Sequence, residues 1–364
     1  MAIPLRTTLT QDEIRVLKDC DTDDDEGEYT YIRKALFHPI PDTVSEPAET
    51  KVEAASKEEK TKPDQDETNS EAGSSEIEAE EDVDEGTEET RLLEKALFAL
   101  QAHLRFVKRI SKGIYLVELL SNNKTQCLKI VRRKSRYRER IPMELRMLSH
   151  IKSLPVQRHI QVMNGFVLTD GLYAFLSDYA PDLLHTKGLH KKPREVRSIM
   201  RQLLVGIRQL HRNSVIHRDV KGSNLLWDGT RLTIVDFDKA TWNTPKGHHV
   251  IVGTIGLLSP EVARYERDGH KKPEPYTEKC DIYSAGVLFG CLLFHVSESE
   301  CLEMHASIFR EDADRYLPPL TAQLLKSMLR YNPKKRPSAH KLLQHAYFKE
   351  GAPPPPMLPN VPLD

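Results

Sequence analysis

Cysteine is scarce in this chain and follows no functional spacing. The sequence of 364 residues contains five cysteines, an odd number, at positions 20, 127, 280, 291 and 301. No two of them show the spacing of a zinc site or of a redox pair. A disulfide framework and a cysteine-based metal site are therefore not expected, and scattered single cysteines favour a reducing compartment inside the cell. We expect the protein in the cytoplasm, the nucleus or both.

Long apolar stretches are also lacking. The longest uninterrupted apolar run, VLFGCLLF at residues 287–294, is too short to span a bilayer and is expected to form a buried helix. The N-terminal sequence MAIPLRTTLTQDE contains no apolar core of the length found in signal peptides. The sequence thus gives no indication of a membrane partner.

Aromatic and branched apolar residues are nearly absent from residues 42–90, which are rich in acids instead. This segment contains about 19 acidic residues and about four lysines, whereas the chain from Arg91 onward carries a net charge of about +18. Such a composition cannot bury enough apolar surface to offset the entropy lost on ordering, so we predict a disordered segment. It serves either as a solubility tail or as an element that docks on the basic body or on a partner. Residues 1–41 form a leader that is also predicted to be poorly ordered.

The rest of the chain shows a sheet followed by helices. Apolar residues alternate between Phe106 and Val131 around the turn-forming sequence SNNK, which predicts three strands in an antiparallel sheet. Helical spacing follows from Arg138 to Ile151, and GFVLTDGLYAFLSDYA predicts a second hairpin. From PREVRSIM onward the periodicity is mostly helical, with short strands at LLWDG and LTIVD. This order predicts an α+β fold with two unequal lobes and a cleft between them.

Two short sequences combine the residue types that phosphoryl transfer requires. HRDVKGSN, at residues 217–224, places Asp219 to accept a proton from a hydroxyl nucleophile, Lys221 beside the transferring phosphate and Asn224 as a metal ligand. Asp236 follows the apolar strand LTIV, and a carboxylate at a strand end is held rigidly where it can reach the same metal ions. The sequence therefore predicts that one base and two hard oxygen ligands converge.

These sequences resemble those of the eukaryotic-type serine/threonine protein kinase family. HRDVKGSN is similar to the catalytic-loop pattern H-R-D-x-K-x-x-N, and DFD at 236–238 stands where the family has D-F-G. GTIGLLSPE is similar to the end of the activation segment, and DIYSAGVLF is similar to the helix that anchors the lower lobe. NPKKRPSAHKLLQHAYF is similar to the closing segment, in which Arg336 would pair with Glu261. These five motifs occur in the family's order and cover about two-thirds of the chain.

The resemblance implies a bilobal protein-kinase-like fold, with a small antiparallel sheet and one helix in the N-lobe and a larger, mainly helical C-lobe. The kinase domain would span residues 104–348, divided into an N-lobe at about 104–178 and a C-lobe at about 179–348, and followed by a proline-rich tail at 349–364. The implied cofactors are ATP and Mg²⁺. The lysine that follows the catalytic acid implies serine or threonine acceptors in protein substrates.

The N-lobe supplies the implied nucleotide contacts. CLKIV resembles the family strand that carries the nucleotide-binding lysine, so Lys129 would contact the α- and β-phosphates and Glu144 would pair with it, with Glu139 as the competing acid. ISKGIYLVE stands in the place of the glycine-rich loop and keeps a single glycine. The other residues assigned to the nucleotide site are Gly113, Tyr115, Cys127 and Leu176.

Two departures from the family pattern bear on activity. Ser111 and Leu116 replace the outer glycines of the loop, which implies a stiffer or differently shaped lid, because glycine lets the backbone amides close over phosphates. Asp238 replaces a glycine that permits unusual backbone angles, and we assign it a structural or regulatory role. His217 is predicted to be a scaffold residue, since the neighbouring Asp219 already supplies the base.

Further residues imply regulation and partners. Arg218 implies a loop organised by phosphate, with Thr241 and Thr244 either as acceptors for an activating kinase or as ordinary loop threonines. Ser223 stands where kinases directed at basic substrates carry an acid, so the basic body favours acidic substrate contexts instead. The tail APPPPMLPN predicts a polyproline helix, either a ligand for a proline-binding domain or a stiff end. Nucleic acid is not expected as a partner.

Three functions fit these observations. The first is an active serine/threonine protein kinase that uses ATP and Mg²⁺. The second is a catalytically weak pseudokinase that acts as a scaffold or regulator, which the reduced glycine loop and Asp238 would suit. The third is a small-molecule phosphotransferase, which is disfavoured because GTIGLLSPE and Arg336 resemble features of enzymes that bind peptides.

Overall fold

The structure is a computed structural model of the chain. It describes residues 91, 104–133, 141–168, 171–180, 182–184, 191–267, 275–298 and 307–349. The predicted leader, the predicted disordered segment at 42–90 and the proline-rich tail beyond Lys349 lie outside the described residues.

The described residues form a five-stranded sheet, two small two-stranded sheets and a group of helices. The strands are β1 (Leu104–Ser111), β2 (Ile114–Leu119), β3 (Thr125–Arg132), β4 (Met163–Leu168), β5 (Leu172–Asp178), β6 (Val215–Ile216), β7 (Leu225–Trp227), β8 (Leu232–Ile234) and β9 (Thr241–Trp242). The α-helices are α1 (Met143–Ser153), α2 (Pro193–Arg212), α3 (Pro260–Arg267), α4 (Lys279–Phe294), α5 (Ser307–Tyr316), α6 (Pro319–Met328) and α7 (Ala339–Leu343). Short 3₁₀ turns lie at Gly222–Asn224, Pro333–Lys335 and Ala346–Phe348.

The five-stranded sheet has the order β1-β2-β3-β5-β4, and every neighbouring pair is antiparallel. It contains the three predicted strands and the second predicted hairpin. Successive side chains of a strand point to opposite faces of a sheet. One face holds a small apolar cluster that includes Val117, Leu128 and Ile130, and the other face contributes Phe175 to the main core together with α1 residues such as Leu145.

Helix α1 begins later than the sequence pattern predicted. The prediction placed its start at Arg138, but the helix begins at Met143, after Pro142 with φ −53° and ψ 137°. The proline ring disfavours helical angles at the preceding residue, Ile141, and this sets the boundary. The correction leaves Glu144 in the first turn of the helix.

The C-terminal part is built on two long helices. Helix α2 is amphipathic and buries residues such as Ile199, Leu203 and Ile207 at helical spacing. Helix α4 contains the apolar run noted above and is buried on all sides, from Cys280 to Phe294. The prediction of a bilobal fold with a small antiparallel sheet and a larger helical part is confirmed. Among the described helices, none is both long and apolar enough to cross a membrane.

A buried ion pair connects distant parts of the helical lobe. Arg336 is 1% exposed and donates two hydrogen bonds to Glu261, with lengths of 2.7 and 3.1 Å. The same guanidinium donates to the backbone carbonyls of Lys279 at 2.6 Å and Arg330 at 2.8 Å. The pairing that the sequence implied for Arg336 and Glu261 is therefore present in the structure.

Candidate active site

A lysine and two carboxylates meet under the five-stranded sheet. Lys129, on the central strand β3, donates from Nζ to Glu144 Oε1 at 2.7 Å and to Asp236 Oδ1 at 2.6 Å. Glu144 comes from α1, and Asp236 comes from the segment after β8. Three elements that are far apart in sequence therefore converge on one ammonium group. Glu144 forms the ion pair with Lys129 for which Glu139 was the alternative partner. Glu139 itself lies outside the described residues.

The charges in this cluster favour the ammonium form of the lysine. Burial alone would lower the pKa of Lys129, but the carboxylates of Glu144 and Asp236 outweigh it and raise the pKa well above its usual range. Tyr173 supports the cluster by donating its hydroxyl to Glu144 Oε2 at 2.8 Å. Burial and the Glu144 charge raise the pKa of Tyr173, so this hydroxyl stays protonated as a donor.

A second cluster surrounds Asp219. Its Oδ1 accepts a hydrogen bond from Thr254 Oγ1 at 2.7 Å, and its Oδ2 lies 3.1 Å from Lys221 Nζ. Lys221 also donates to Thr254 Oγ1 at 2.8 Å, so the hydroxyl links the acid and the lysine. Asn224 Nδ2 donates to the Asp219 carbonyl at 2.9 Å and to Oδ2 at 3.2 Å. The residues that the sequence predicted as base, phosphate contact and metal ligand therefore lie together.

This environment keeps Asp219 ionised. Burial would raise the pKa of Asp219, but the hydrogen bonds from Thr254 and Lys221 and the charges of Lys221 and Lys239 outweigh it. The pKa therefore lies below the usual aspartate value, and at neutral pH the carboxylate can accept a proton. Lys239 Nζ lies 3.9 Å from Asp219 Oδ2 and was not identified from the sequence.

The catalytic loop is held by a buried acid on the apolar helix α4. Asp281 is 1% exposed, and it accepts the backbone N–H groups of His217 at 2.9 Å and Arg218 at 2.8 Å. His211 Nε2 donates to the same carboxylate at 2.8 Å. Burial would raise the pKa of Asp281, but the interactions with His211 and His217 lower it overall. Sequence analysis identified Asp281 as the first residue of the motif DIYSAGVLF but did not predict its contacts with the loop.

His217 has the scaffold position that the sequence predicted. It is fully buried, and its Nε2 lies 3.0 Å from the carbonyl of Val235. Its Nδ1 accepts the backbone N–H of Asp219 at 3.3 Å, and its ring packs against Phe237 at 5.1 Å. Both ring nitrogens are therefore engaged with the backbone of Val235 and Asp219.

Two residues of the site adopt left-handed backbone angles. Arg218 has φ 65° and Asp236 has φ 66°, and neither is glycine. Such angles are uncommon for residues with side chains and persist where the surroundings enforce them. Each of them adjoins or carries a carboxylate of the site, so the strain helps to aim these groups.

The activation segment is organised by a tyrosine. Arg218 Nε donates to the carbonyl of Lys239 at 2.6 Å, and its Nη1 lies 3.2 Å from the hydroxyl of Tyr276. That hydroxyl donates to the carbonyl of Val250 at 2.8 Å. The sequence had implied that phosphate organises this arginine. In the structure its guanidinium contacts a backbone carbonyl and a phenol hydroxyl, and the role of phosphate stays a prediction.

The two threonines proposed as phosphate acceptors differ in accessibility. Thr241 lies in β9, pairs with Ile216 and is 9% exposed, so its assignment as an accessible loop acceptor is corrected. Thr244 lies after the strand and donates its hydroxyl to the carbonyl of Gly247 at 3.3 Å. Thr244 therefore remains the prediction for this segment.

Two residues assigned to the nucleotide site lie on the wrong face of the sheet. Tyr115 and Leu176 both pair with Leu128, so the three side chains share one face. They belong to the small apolar cluster on the face opposite Lys129, and they are 3% and 1% exposed. The assignment of Tyr115 and Leu176 is therefore corrected. The strand alternation places each of them one residue away from the cleft face.

The cleft face is instead formed by the partners of Lys129 and Cys127. Lys129 pairs with Ile114 and Phe175, whose ring centroid lies 5.9 Å from Nζ. Cys127 pairs with Leu116 and Ser177, which places these side chains beside it. Cys127 thus lies on the same sheet face as Lys129, and its neighbours on this face follow from strand pairing that local sequence spacing does not predict.

Cys127 is a protonated thiol at neutral pH. Desolvation raises the pKa of Cys127 to about 11, although the nearby Lys129 charge acts in the opposite direction. Cys127 therefore presents a neutral, weakly polar thiol to a ligand and not a charged thiolate.

Gly113 forms the tight turn between β1 and β2. Its φ is 69°, its carbonyl accepts the N–H of Ile130 at 2.7 Å, and an added Cβ would lie 2.7 Å from the Ile130 carbonyl oxygen. Glycine is therefore required here for both the backbone angle and the close approach. The two strands stay paired up to Ser111 and Ile114, on either side of the turn.

Asn224 and Asp236 offer the donors that Mg²⁺ prefers. Pairing of β7 with β8 brings them together, and Val235 donates its N–H to the Asn224 carbonyl at 2.9 Å. Among the described residues, no group of three or more His, Cys, Asp or Glu side chains is placed to hold a metal ion. Mg²⁺ usually takes only one or two protein oxygens and completes its shell with phosphate and water, so this donor set fits it.

Asp238 lies next to this donor set. Desolvation and the neighbouring Asp236 carboxylate raise the pKa of Asp238, while Lys239 and Lys129 act in the opposite direction. The side chain is exposed, in contrast to Phe237, which is fully buried.

Comparisons with known proteins agree with this geometry. Residues 112–348 match the family model described as protein kinase domain. The chain is 29% identical over 238 residues to mitogen-activated protein kinase kinase kinase 1 of Rattus norvegicus, which covers 58% of this chain and 15% of the relative. It is 34% identical over 155 residues to serine/threonine-protein kinase Nek6 of Oryza sativa subsp. japonica, covering 41% of this chain and 28% of the relative. Serine/threonine-protein kinase PLK2 of Mus musculus is 28% identical over 251 residues, covering 64% and 35% of the two chains. The chain thus spans about a third or less of the length of these relatives.

Proposed function

Because the chain belongs to the protein kinase domain family, we propose that it is an ATP-dependent serine/threonine kinase that phosphorylates protein substrates. The observation that carries this proposal is the Asp219 cluster, in which Lys221 Nζ lies 3.1 Å and Asn224 Nδ2 lies 3.2 Å from the carboxylate of Asp219. Phosphoryl transfer depends on positioning and charge neutralisation, and this cluster provides both.

The described side chains divide the work of the reaction. Asp219 accepts the proton of the substrate hydroxyl as its oxygen bonds to the γ-phosphorus of ATP, the bond from that phosphorus to the β–γ bridging oxygen breaks and ADP leaves. Lys221, fixed by Thr254, lies where it neutralises charge on the transferring group. Lys129 binds the α- and β-phosphates and is kept in place by Glu144.

The metal site follows from the same geometry. Asn224 and Asp236 would hold Mg²⁺, which when bound neutralises negative charge on the phosphates. Ile114, Leu116, Cys127 and Ser177 line the sheet face above the cleft and would contact the base of the nucleotide. The positive charge of the kinase region favours substrates with acidic residues near the acceptor, and Thr244 would be the acceptor for an activating kinase.

A pseudokinase that acts as a scaffold is the second candidate. The observations that favour it are the single glycine in the closed turn at Gly113 and the aspartate at position 238. The turn bears on how the nucleotide phosphates are covered, and Asp238 adds a carboxylate beside Asp236. Neither feature removes a member of the Asp219 cluster.

Phosphate transfer from labelled ATP separates the two candidates. The full chain is incubated with Mg²⁺ and a generic protein substrate, beside an Asp219→Asn variant that keeps the shape but loses the base. Removing a general base lowers rates by about 10²- to 10⁴-fold, so the variant should show a loss in this range. Glu311→Gln, the same chemical change on the exposed face of α5, is the matched control and should keep wild-type activity.

The outcomes are distinct. Equal phosphate incorporation by wild type and Asp219→Asn would reject the kinase assignment for this site. Nucleotide binding by the wild type without any incorporation would establish the scaffold. Acceptor analysis of the labelled protein substrate tests the preference for serine and threonine over tyrosine.

A further inference from the structure

A surface pocket lies away from the active site, between the end of α1 and one face of α2. Its volume is about 440 Å³. One wall is the segment that follows α1, including Leu154, Pro155 and Val156, and the other wall is the stretch from Val205 to Asn213. We call it the arginine pocket, because Arg158, Arg208 and Arg212 line it. It shares no lining residue with the Asp219 or Lys129 clusters.

The pocket is strongly positive. Within the described part of the chain, the guanidinium groups of Arg158, Arg208 and Arg212 form no ion pair with an acid. The potential also acts on the adjacent His159. Burial lowers the pKa of His159, a hydrogen bond to the Leu232 carbonyl opposes this, and the charges of Arg231 and Arg158 lower the pKa further. Three cations without acidic partners favour an anionic occupant.

The pocket also has an apolar side. Val156 is 51% exposed and lies beside the exposed Pro155. Val205 contributes a partly buried side chain on the opposite wall. The chemistry of the site therefore fits an acidic peptide that carries a branched apolar side chain, because the arginines pair with the acids while the apolar group covers Val156.

The chain itself contains a segment of this kind. Residues 76–85 read EIEAEEDVDE, with seven acids and two branched apolar residues, Ile77 and Val83, set among them. We propose that residues 76–85 dock in the arginine pocket of the same molecule. Charge complementarity carries this assignment, because the acids of the segment and the net positive kinase region lie in one chain.

The length of the connection permits docking within one molecule. Eighteen residues separate Glu85 from Leu104, the first residue of β1. An extended chain of this length reaches at most about 60 Å. A compact domain of about 245 residues has a diameter of roughly 45 Å. A tether of this length gives an effective concentration on the order of millimolar, so even a weak contact is populated.

Photo-crosslinking from position 77 tests the proposal in the full chain. Benzoylphenylalanine replaces Ile77, the protein is irradiated, and the crosslinked peptides are identified by mass spectrometry. The expected crosslinks join position 77 to residues 154–158 or 205–213 of the same molecule. The double charge reversal Arg158→Glu with Arg212→Glu should lower their yield at least fivefold. Arg194→Glu with Arg310→Glu, an equal change at exposed arginines elsewhere, is the matched control and should leave the yield unchanged.

Further measurements keep each outcome decisive. Melting curves establish that the double variants are folded. Adding 0.5 M NaCl should reduce the crosslink yield of the wild type, because salt screens the charges of the arginines. Crosslinks that avoid the pocket, or a yield equally low in both double variants, would overturn the proposal. Crosslinks between two molecules would assign the pocket to a second copy instead. A labelled peptide of residues 74–87 is also titrated against a chain shortened to begin at residue 91. If this peptide fails to bind while another acidic protein binds the arginine pocket, the site belongs to an external partner. None of these measurements depends on kinase activity.

Discussion

Replacing Thr254 with valine isolates the hydroxyl that links Asp219 to Lys221. Thr254 Oγ1 lies 2.7 Å from Asp219 Oδ1, to which it donates, and 2.8 Å from Lys221 Nζ, from which it accepts. Valine has nearly the same shape as threonine but can form neither hydrogen bond. A hydrogen bond to a charged group contributes about 1.5–3 kcal/mol. If the transition state loses one such bond, kcat falls by about 10- to 150-fold, since 1.36 kcal/mol corresponds to a factor of ten.

The same variant changes the dependence on pH in a defined direction. The hydrogen bond from Thr254 helps to keep the pKa of Asp219 below its usual value. Without that bond the pKa rises, so the variant should lose activity at a higher pH than the wild type does when the solution is acidified. The KM for ATP should stay within about twofold, because the cluster of Lys129, Glu144 and Asp236 is untouched.

The assay is steady-state phosphorylation of a protein substrate between pH 5 and 8, with a separate nucleotide titration. Thr254→Ser keeps the hydroxyl and is the matched control, expected within about threefold of the wild-type rate. A valine variant as active as the wild type would refute the reasoning. An equal loss in both variants would assign the effect to packing and would refute it as well.

Two further predictions concern stability and reactivity. Arg336→Met leaves the carboxylate of Glu261 buried without its partner, so the free energy of unfolding should fall by about 3–5 kcal/mol in urea denaturation. Glu261→Gln should lower the free energy of unfolding less, because Arg336 still donates to the carbonyls of Lys279 and Arg330. An equal loss of stability in both variants would contradict this. Cys127, whose pKa is raised to about 11, should react with iodoacetamide more slowly at pH 8 than free cysteine does, and a faster reaction would contradict the burial argument.

The sequence predicted the site best where its residues lie close together in the chain. Asp219, Lys221 and Asn224 lie within six consecutive positions, and these residue types at this spacing indicate phosphoryl transfer. Lys129 and Glu144 were found because CLKIV and the helix that follows it resemble the corresponding elements of the kinase family. Their partner Tyr173 was missed, since a contact across 29 positions leaves no mark on local spacing.

Strand alternation explains the two residues that were wrongly assigned. Tyr115 and Leu176 are each one position away from a residue on the cleft face, and a shift of one position moves a side chain to the other face. The burial of Tyr115 and Leu176 follows from pairing with Leu128, which no sequence pattern fixes. Ser177 shows the same limit, because only the pairing with Cys127 places it on the cleft face.

The carboxylate of Asp281 has a consequence for the timescale on which the catalytic loop opens. The amide protons of His217 and Arg218 are bound to an acid at the start of a helix that is buried on every side. Water reaches such protons only when that helix separates from its neighbours, which requires global unfolding. In deuterated buffer these two amides should therefore be among the last to exchange, so the loop that carries Asp219 belongs to the most slowly opening unit of the molecule.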